Sequence, residues 1–258
     1  MVISKVFVTR LFGKHCRSSS WPVAYEFIVD RLRAVRQDMI IQNTNSKERL
    51  LLLEAMIPFY IESQYRCETS GCHTYCRKLH YEQTKECFLQ WKECTDGKNQ
   101  TILACYFLYN AMQPWSIHQL YDYKKNFPAT LFIHLKELIL AFKMANVVRY
   151  FRILADLNGI LLKYAGLLLV SQLRFNILSI YFSAYKCKGL VLPFDYLIRV
   201  LKLDMSSLKK CLSQMNVGMS DVGCYCSGIN GERIVDVSQT HWCVIEIDYL
   251  SKIMDELR

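Results

Sequence analysis

Apolar positions recur at helical spacing along most of the chain. In "YEFIVDRLRAVRQDMIIQ" (25–42), Ile28, Leu32, Val35 and Met39 are three or four residues apart and therefore line one helix face. The same pattern predicts further helices at 46–67, 75–94, 101–112, 128–157 and 159–187, the last two stretches each as a pair. Consecutive antiparallel helices with short joints predict an α-solenoid, a helical superhelix.

The pattern changes towards the C-terminus. Two short helices are predicted at 194–203 and 205–215, with Asp204 or Ser206 as the cap of the second. Beyond them, "DVGCYC" and "RIVDVS" alternate apolar and polar residues on both sides of the turn "SGINGE", which predicts a β-hairpin. A last helix is predicted at 248–258. Two helices followed by a hairpin is the order of a winged helix.

These elements predict an all-α fold, in which a helical superhelix precedes a winged helix with a small β-hairpin. We assign residues 21–187 to the superhelix and 188–258 to the winged-helix unit and closing helix. Residues 1–20 are expected to be a divergent or truncated N-terminus. The low glycine and proline content, 10 Gly and 5 Pro in 258 residues, argues against a β-sandwich, which needs many turns.

The formal net charge of +9 is unevenly distributed. Residues 101–186 carry 9 Lys/Arg against 3 Asp/Glu, whereas residues 187–258 carry 8 against 9. The chain has no dense basic tail of the kind that wraps nucleic acid, so the excess permits an acidic partner without requiring one.

Four basic residues of the two short helices are candidate nucleic-acid contacts, because the second helix of a winged helix can approach a groove or backbone. They are Arg199, Lys202, Lys209 and Lys210. So few cations would give weak, salt-sensitive binding. The alternative is that they form the solvated face of an amphipathic helix, and the acids of residues 211–258 favour this alternative.

Twelve cysteines accompany an N-terminus that lacks the apolar run of a signal peptide. The longest apolar run, residues 160–170, is short and interrupted by Lys163, so we expect no membrane span. We expect an intracellular protein with reduced thiols.

A cluster of Cys and His residues raises the question of a zinc site. Its members are Cys67, Cys72, His73, Cys76, His80, Cys87 and Cys94. Cys224 and Cys226 share one face of a predicted strand, with Cys243 as a third thiol. No C-x2-C pair is present in either group, and cysteines of helical intracellular proteins usually act as small buried apolar residues. We therefore predict no metal site.

No catalytic motif is present. The sequence contains no G-x-S-x-G, Walker A, G-x-G-x-x-G or H-E-x-x-H pattern, and its six histidines are dispersed. We predict no catalytic residues, no cofactor and no small-molecule substrate. The chain is expected not to be an enzyme.

The stretch "DRLRAVRQD" resembles the signature of the Sac-three/GANP family, named for a suppressor of actin and the germinal-centre-associated nuclear protein. The matching positions are Asp30, Arg31, Arg33, Ala34, Val35, Arg36, Asp38 and Gln42. Three further family elements are similar to segments here, at Glu54, Phe59, Tyr60 and Ile61, at Ala145, Asn146, Tyr150, Phe151 and Arg152, and at Arg174, Leu178, Ala184 and Tyr185. The resemblance spans roughly residues 21–240.

The resemblance implies a fold of the PCI (proteasome–signalosome–initiation factor) type, in which a TPR-like superhelix ends in a winged helix. It implies a scaffold whose partners are another PCI-type protein and a small acidic subunit, with no membrane association. The chain is most like the small single-domain member linked to centrosome and spindle. The expected function is in centrosome duplication, spindle assembly and mitotic progression, in nucleus and cytoplasm. The alternative is a subunit of the nuclear-pore-associated, transcription-coupled messenger-RNA export complex with weak RNA binding.

The family match also bears on the charged signature helix. It favours a structural role, in which Arg31, Arg33 and Arg36 pair with Asp30, Asp38 and carbonyl groups of adjoining helices. The alternative is that the motif forms an interface with a partner.

Overall fold

The structure, a computed structural model, describes residues 21–187 and 189–226. This part of the chain is mostly helical and contains one small antiparallel sheet. The helices are α1 (Trp21–Ile41), α2 (Ser46–Ser70), α3 (Arg77–Cys94), α4 (Gln100–Tyr109), α5 (Ser116–Asp122), α6 (Ala129–Lys143), α7 (Val147–Asp156), α8 (Ile160–Leu167), α9 (Val170–Ala184), α10 (Phe194–Leu201) and α11 (Met205–Gln214). The strands are β1 (Val191–Pro193) and β2 (Gly223–Tyr225). The predicted all-α class with a small sheet is confirmed.

The chain divides into two compact units, one that ends at Tyr106 and one that begins at Phe107. The division falls inside α4. The bounds expected from the sequence, 21–187 for the superhelix and 188–258 for the winged-helix unit, stay predictions.

The first two helices form largely where the apolar pattern places them. The predicted stripe of α1 is buried, and Ile28 and Leu32 have no exposed surface. The sequence favours Ser46 as the cap of α2, but the cap is Asn45, which has extended backbone and a side chain that accepts a hydrogen bond from the Glu48 amide at 2.9 Å. The sequence predicts that Pro58 kinks this helix or divides it in two, and the division is wrong because α2 continues through Pro58.

The core of the first unit lies between α2 and α3. Trp91 and Phe88 of α3 and Met56 of α2 are buried, as the apolar stripe of each helix requires. The indole Nε1 of Trp91 donates to the Glu54 carboxylate at 3.3 Å, which satisfies the polar atom of this buried ring.

In the second unit, α6 and α7 form the predicted pair joined around residues 144–146. Ala145 has a φ of 51°, and the Asn146 side chain caps α7. Helix α8 lies close to α7, since a Cβ added to Gly166 would lie 2.4 Å from Cδ1 of Leu154. The Tyr150 hydroxyl donates to the Gly166 carbonyl at 2.7 Å, which fixes this close approach.

The apolar region after α7 has the length of a membrane span but the burial of a core. Among the described residues, the helical stretch Ile160–Ala184 is long and apolar enough to cross a membrane, and its most apolar window has a mean hydropathy of 1.4. It breaks at Leu168 and Leu169 between α8 and α9, and 61% of its most apolar window is buried inside the protein. Length and composition alone are therefore weak evidence for a span.

Strand β1 precedes the α10–α11 helix pair in sequence and β2 follows it, and the two strands pair with each other. Leu192 is opposite Cys224, and Pro193 is opposite Gly223. A Cβ at position 223 would lie 2.2 Å from the Leu192 carbonyl oxygen, so the strands approach this closely because the residue is glycine. The predicted second hairpin strand, residues 233–238, and the predicted helix 248–258 lie outside the described residues.

Candidate interaction surfaces

The signature helix α1 presents its motif residues on two sides. Arg36 is buried, with 8% of its surface exposed. The other charged and polar members, in α1 and the turn after it, are exposed, and they are Asp30, Arg31, Arg33, Asp38 and Gln42. The motif therefore consists of one interior arginine and a group that faces outwards.

Arg36 connects three helices of the first unit. Its Nη2 donates to the Glu86 carboxylate on α3 in an ion pair. The Tyr60 hydroxyl of α2 and the Cys87 thiol of α3 also interact with the guanidinium. Burial and the Cys87 thiol raise the pKa of Tyr60, and the adjacent guanidinium opposes that rise. Within the motif, Arg36 is therefore the arginine whose position fits the expected structural role, which stays a prediction.

The outward-facing arginines make weaker contacts. Arg31 lies over the ring of Phe27 on its own helix, with its guanidinium carbon 5.3 Å from the ring centroid. Among the described residues, Asp30 and Asp38 form no ion pair with Arg31, Arg33 or Arg36. The acidic partner of Arg36 is therefore Glu86, which the sequence motif does not contain.

Arg36→Ala is expected to lower the free energy of unfolding by about 1–2 kcal/mol, because it removes a buried side chain of α1 that pairs with Glu86 of α3. The Glu86 side chain is 61% exposed, so water screens the lost ion pair and reduces its share of the effect. Arg33→Ala on the exposed side of α1 is the matched control and should change stability by less than about 0.5 kcal/mol. Urea denaturation measures both, and equal stabilities would assign Arg36 to an interface.

His80 joins α3 to both α1 and α2. Its Nε2 lies 2.8 Å from the Tyr60 carbonyl oxygen, which can only accept, so Nε2 carries the proton. Nδ1 then accepts from the Tyr25 hydroxyl at 3.1 Å. Burial lowers the pKa of His80 to about 4. The neutral imidazole is consequently a structural link, and it is not available as a metal ligand.

A groove of about 180 Å³ lies beside this histidine, between α1 and the start of α3. Glu26, Asp30 and Arg33 line it from α1, and Cys76 and Leu79 line it from the other side. Its charges are of both signs and its floor is partly apolar. The groove therefore lacks the concentration of charge of one sign that a site for an anion or a metal would need.

The residues of the family element around position 146 lie in three different environments. Asn146 accepts a hydrogen bond from the Arg149 amide at 3.0 Å and so caps α7. Phe151 is buried in the core of the second unit, whereas Arg152 is exposed. Arg149 forms an ion pair with Glu137 of α6, which adds a link between α6 and α7.

Arg174 is the most deeply buried of the family arginines, with 1% of its surface exposed. Its Nε donates to the Leu201 carbonyl at 2.8 Å, and its Nη2 donates to the Lys202 carbonyl at 2.6 Å. These carbonyls terminate α10, where Lys202 has a left-handed backbone with a φ of 52°. The guanidinium thus supplies donors and positive charge to a helix C-terminus.

The four candidate nucleic-acid contacts lie on the α10–α11 helix pair. Arg199, Lys209 and Lys210 are exposed, and Lys202 is half-buried. The ammonium group of Lys209 lies 5.6 Å from the centroid of the Phe194 ring, within its own unit. Asp204 caps α11, as one of the two predicted alternatives required.

A group of apolar side chains is exposed around the two-stranded sheet. Its members have between 38% and 73% of their surface exposed, and they are Leu190, Met219, Val222 and Tyr225. We call them the sheet surface. Backbone bonds keep the group in place, because the Phe194 amide donates to the Val222 carbonyl and the Cys226 amide donates to the Leu190 carbonyl.

The cysteines considered as zinc ligands are free thiols in several environments. Cys67 and Cys87 are buried, and burial raises the pKa of each thiol to about 12. Cys224 and Cys226 are also buried, while Cys243 lies outside the described residues. Where the structure describes the chain, no three His, Cys, Asp or Glu residues are placed to hold a metal ion.

The sequence was compared with known protein families and with curated proteins. The model of the SAC3/GANP family matches residues 8–221, which is most of the chain. The chain belongs to the SAC3/GANP family. No curated protein matches the sequence. The matched region of the SAC3/GANP chain includes α1 to α11 and β1, and it ends just before β2.

Two features of this SAC3/GANP chain were missed from its sequence. The inward position of Arg36 could have been predicted from the sequence, because Arg36 follows the buried Leu32 by four residues and so shares its helix face. The sheet surface could not have been predicted from the sequence, because its residues come from separate segments before and after a helix pair.

Proposed function

We propose that this SAC3/GANP chain is a non-enzymatic scaffold that docks a second PCI-type protein through the sheet surface. The observation that supports the proposal is the exposure of apolar side chains at a sheet, above all Val222 with 73% of its surface exposed. Exposed apolar groups that backbone bonds hold in place are typical of protein contacts. The resemblance described above gives the type of partner.

The environment of the titratable groups agrees with a scaffold rather than with catalysis. Among the described residues, the thiols with strongly raised pKa values are buried, and His80 is fixed between two helices. Nucleophilic cysteines instead have lowered pKa values and accessible sulfur atoms.

The proposed setting is centrosome duplication, spindle assembly and mitotic progression, with the protein in both nucleus and cytoplasm. The resemblance to the small family member linked to centrosomes supports this setting. The scaffold would act there by holding its PCI-type partner in place.

The second candidate function is membership of the nuclear-pore-associated messenger-RNA export complex, with a PCI-type partner, a small acidic subunit and weak RNA contact. The exposed Arg199, Lys209 and Lys210 on the α10–α11 pair favour it. Three or four cations of this kind can contact a few phosphates, which agrees with weak binding.

The scaffold proposal is tested with the variant Val222→Asp in the full chain, isolated from cells by affinity capture with quantitative mass spectrometry. Ile41→Asp is the matched control, because Ile41 is also an exposed apolar residue, with 79% of its surface exposed, but lies on α1. We expect Val222→Asp to reduce recovery of a PCI-type partner at least tenfold and Ile41→Asp to retain it. Equal recovery would exclude the sheet surface as the docking site. Centrosomal proteins in the wild-type sample would support the first setting, and nuclear-pore proteins would support the second.

A further inference from the structure

Three thiols lie near one another at the end of α2 and in the turn before α3. They belong to Cys67, Cys72 and Cys76, and we call them the turn thiols. Burial above all, and the nearness of these three thiols with it, raises the pKa of the Tyr25 hydroxyl on α1. The fold therefore gathers the turn thiols around one hydroxyl group of a neighbouring helix.

The C-terminal cap of α2 brings Cys67 and Cys72 together. Gly71 has a φ of 68°, a left-handed value that glycine adopts without strain, and its amide donates to the Cys67 carbonyl at 3.2 Å. In such a cap, the residue after the glycine often packs against the residue whose carbonyl accepts this bond. Cys72 is in that position, and its thiol forms a hydrogen bond with the Cys67 thiol. The two thiols are thus in direct contact.

The two thiols differ in their access to solvent. Cys67 is buried, with 3% of its surface exposed, whereas Cys72 is half-buried. Burial also raises the pKa of the Cys67 thiol to about 12, so this thiol keeps its proton at neutral pH. Because the thiolate is the reactive form of cysteine, a reagent from the solvent reacts with Cys72 first. The pair consists of an accessible thiol and a protected thiol behind it.

The turn before α3 holds the accessible thiol in place. The Tyr75 amide donates to the Cys72 carbonyl at 3.2 Å, which closes the turn. The Thr74 hydroxyl oxygen lies 3.3 Å from the Cys72 sulfur, and this hydroxyl can donate a hydrogen bond to it. A donor in this position stabilises the negative charge that the sulfur acquires when it loses its proton. Cys72 therefore has both a fixed position and a group that favours its reactive form.

We propose that Cys67 and Cys72 form a site of reversible oxidation, which a hydroperoxide such as hydrogen peroxide converts into a disulfide. The Cys72 sulfur attacks one peroxide oxygen, the O–O bond breaks, and water leaves while Cys72 becomes a sulfenic acid. The Cys67 sulfur then attacks the Cys72 sulfur, the S–O bond breaks, and the hydroxyl group leaves as water with the Cys67 proton. The two thiols together lose two hydrogens, and one hydrogen peroxide molecule is reduced to two molecules of water.

The contact between the two thiols favours the disulfide over further oxidation. A sulfenic acid with no thiol beside it can be oxidised irreversibly, whereas one that is held against a thiol condenses with it. The bond would join the end of α2 to the turn before α3, and this turn also lines the groove beside His80 through Thr74 and Cys76. A dithiol reductant reverses the bond, so in a reducing compartment the modification is transient. The proposal does not rest on the scaffold function.

Cys76 is the competing partner for Cys72, because it is exposed and close in sequence. The hydrogen bond between the Cys67 and Cys72 thiols is the reason for choosing Cys67. Four residues separate Cys67 from Cys72, and three separate Cys72 from Cys76. In an unfolded chain the two loops close with similar ease, so a preference for Cys67 depends on the fold.

The test is peptide mapping by mass spectrometry after the reduced full chain has been treated with hydrogen peroxide and its remaining thiols alkylated in denaturant. Trypsin cleaves after Arg66 and Arg77, so one peptide contains all three turn thiols. We expect this peptide to lose two hydrogens and to carry one alkyl group, on Cys76. The Cys67–Cys72 bond should exceed the Cys72–Cys76 bond at least about fivefold in the folded protein, and treatment in urea should abolish this preference. Dithiothreitol should restore three alkylated cysteines.

Cys72→Ser and Cys76→Ser are the matched variants, each with a circular dichroism spectrum to show that it folds. Cys72→Ser should leave Cys67 reduced, because it removes the thiol that the peroxide reaches, whereas Cys76→Ser should form the same disulfide as the wild type. Three results in the wild type would overturn the proposal, whatever the variants do. They are a Cys72–Cys76 bond as the main product, a Cys72 sulfinic acid without a disulfide, and three alkylated cysteines after peroxide treatment. An equal preference for Cys67 in urea would also overturn it, because sequence spacing would then explain the pairing.

Discussion

Arg174→Met is expected to lower the free energy of unfolding by about 3 kcal/mol. Methionine retains most of the buried volume but cannot donate to the Leu201 and Lys202 carbonyls, which Arg174 contacts at 2.8 and 2.6 Å. Each buried carbonyl that loses its donor costs about 1–3 kcal/mol. The loss should lower the midpoint of thermal unfolding by roughly 6–12 °C, as circular dichroism would record.

Arg152→Met provides the matched control for this experiment. Arg152 belongs to another family element and is exposed, so its replacement should change stability by less than about 0.5 kcal/mol. If Arg174→Met were as stable as Arg152→Met, the two carbonyl contacts would contribute little, and the family arginine would need a different explanation.

Stability is expected to fall in acid partly because of His80. Its pKa is lowered by burial from 6.5 to about 4 in the folded protein, so below pH 6.5 the unfolded chain binds the proton more readily. Stability therefore decreases by up to about 1.4 kcal/mol per pH unit as the pH falls from 6.5 towards 4. The total contribution of this one group approaches about 3 kcal/mol at pH 4.

His80→Gln isolates this contribution from that of the carboxylates, which also titrate in this range. Glutamine can donate to the Tyr60 carbonyl but does not titrate. Denaturant unfolding at pH 7, 6, 5 and 4 should show the wild type losing its advantage over the variant as the pH falls. A constant difference between the two proteins across this range would mean that His80 keeps an ordinary pKa when folded.

The helices were predictable because their apolar positions repeat with the helical period. The stripe of α1 at Ile28, Leu32 and Met39 is buried as expected, and Asp204 caps α11. Helix α5 was missed because it has seven residues and no side-chain cap, so its sequence shows too little of one period. Length alone does not decide the outcome, because the eight-residue α10 was predicted from its regular apolar spacing.

The contacts between elements were harder to predict, because they depend on pairs that are distant in sequence. Nothing in the signature motif identifies Glu86 as the partner of Arg36, fifty positions away. The pairing of β1 with β2 was likewise unforeseen, since the alternation that predicts a strand does not identify its neighbour.

The pairing of β1 with β2 has a consequence for how the C-terminal region folds. It closes a loop of about 30 residues that contains α10 and α11, and the contacts of the closed unit must offset the entropic cost of this closure. A chain shortened before Gly223 would retain both helices but leave Val191–Pro193 as an unpaired strand edge. Such an edge promotes aggregation, so the C-terminal limit of a soluble fragment must lie beyond Tyr225.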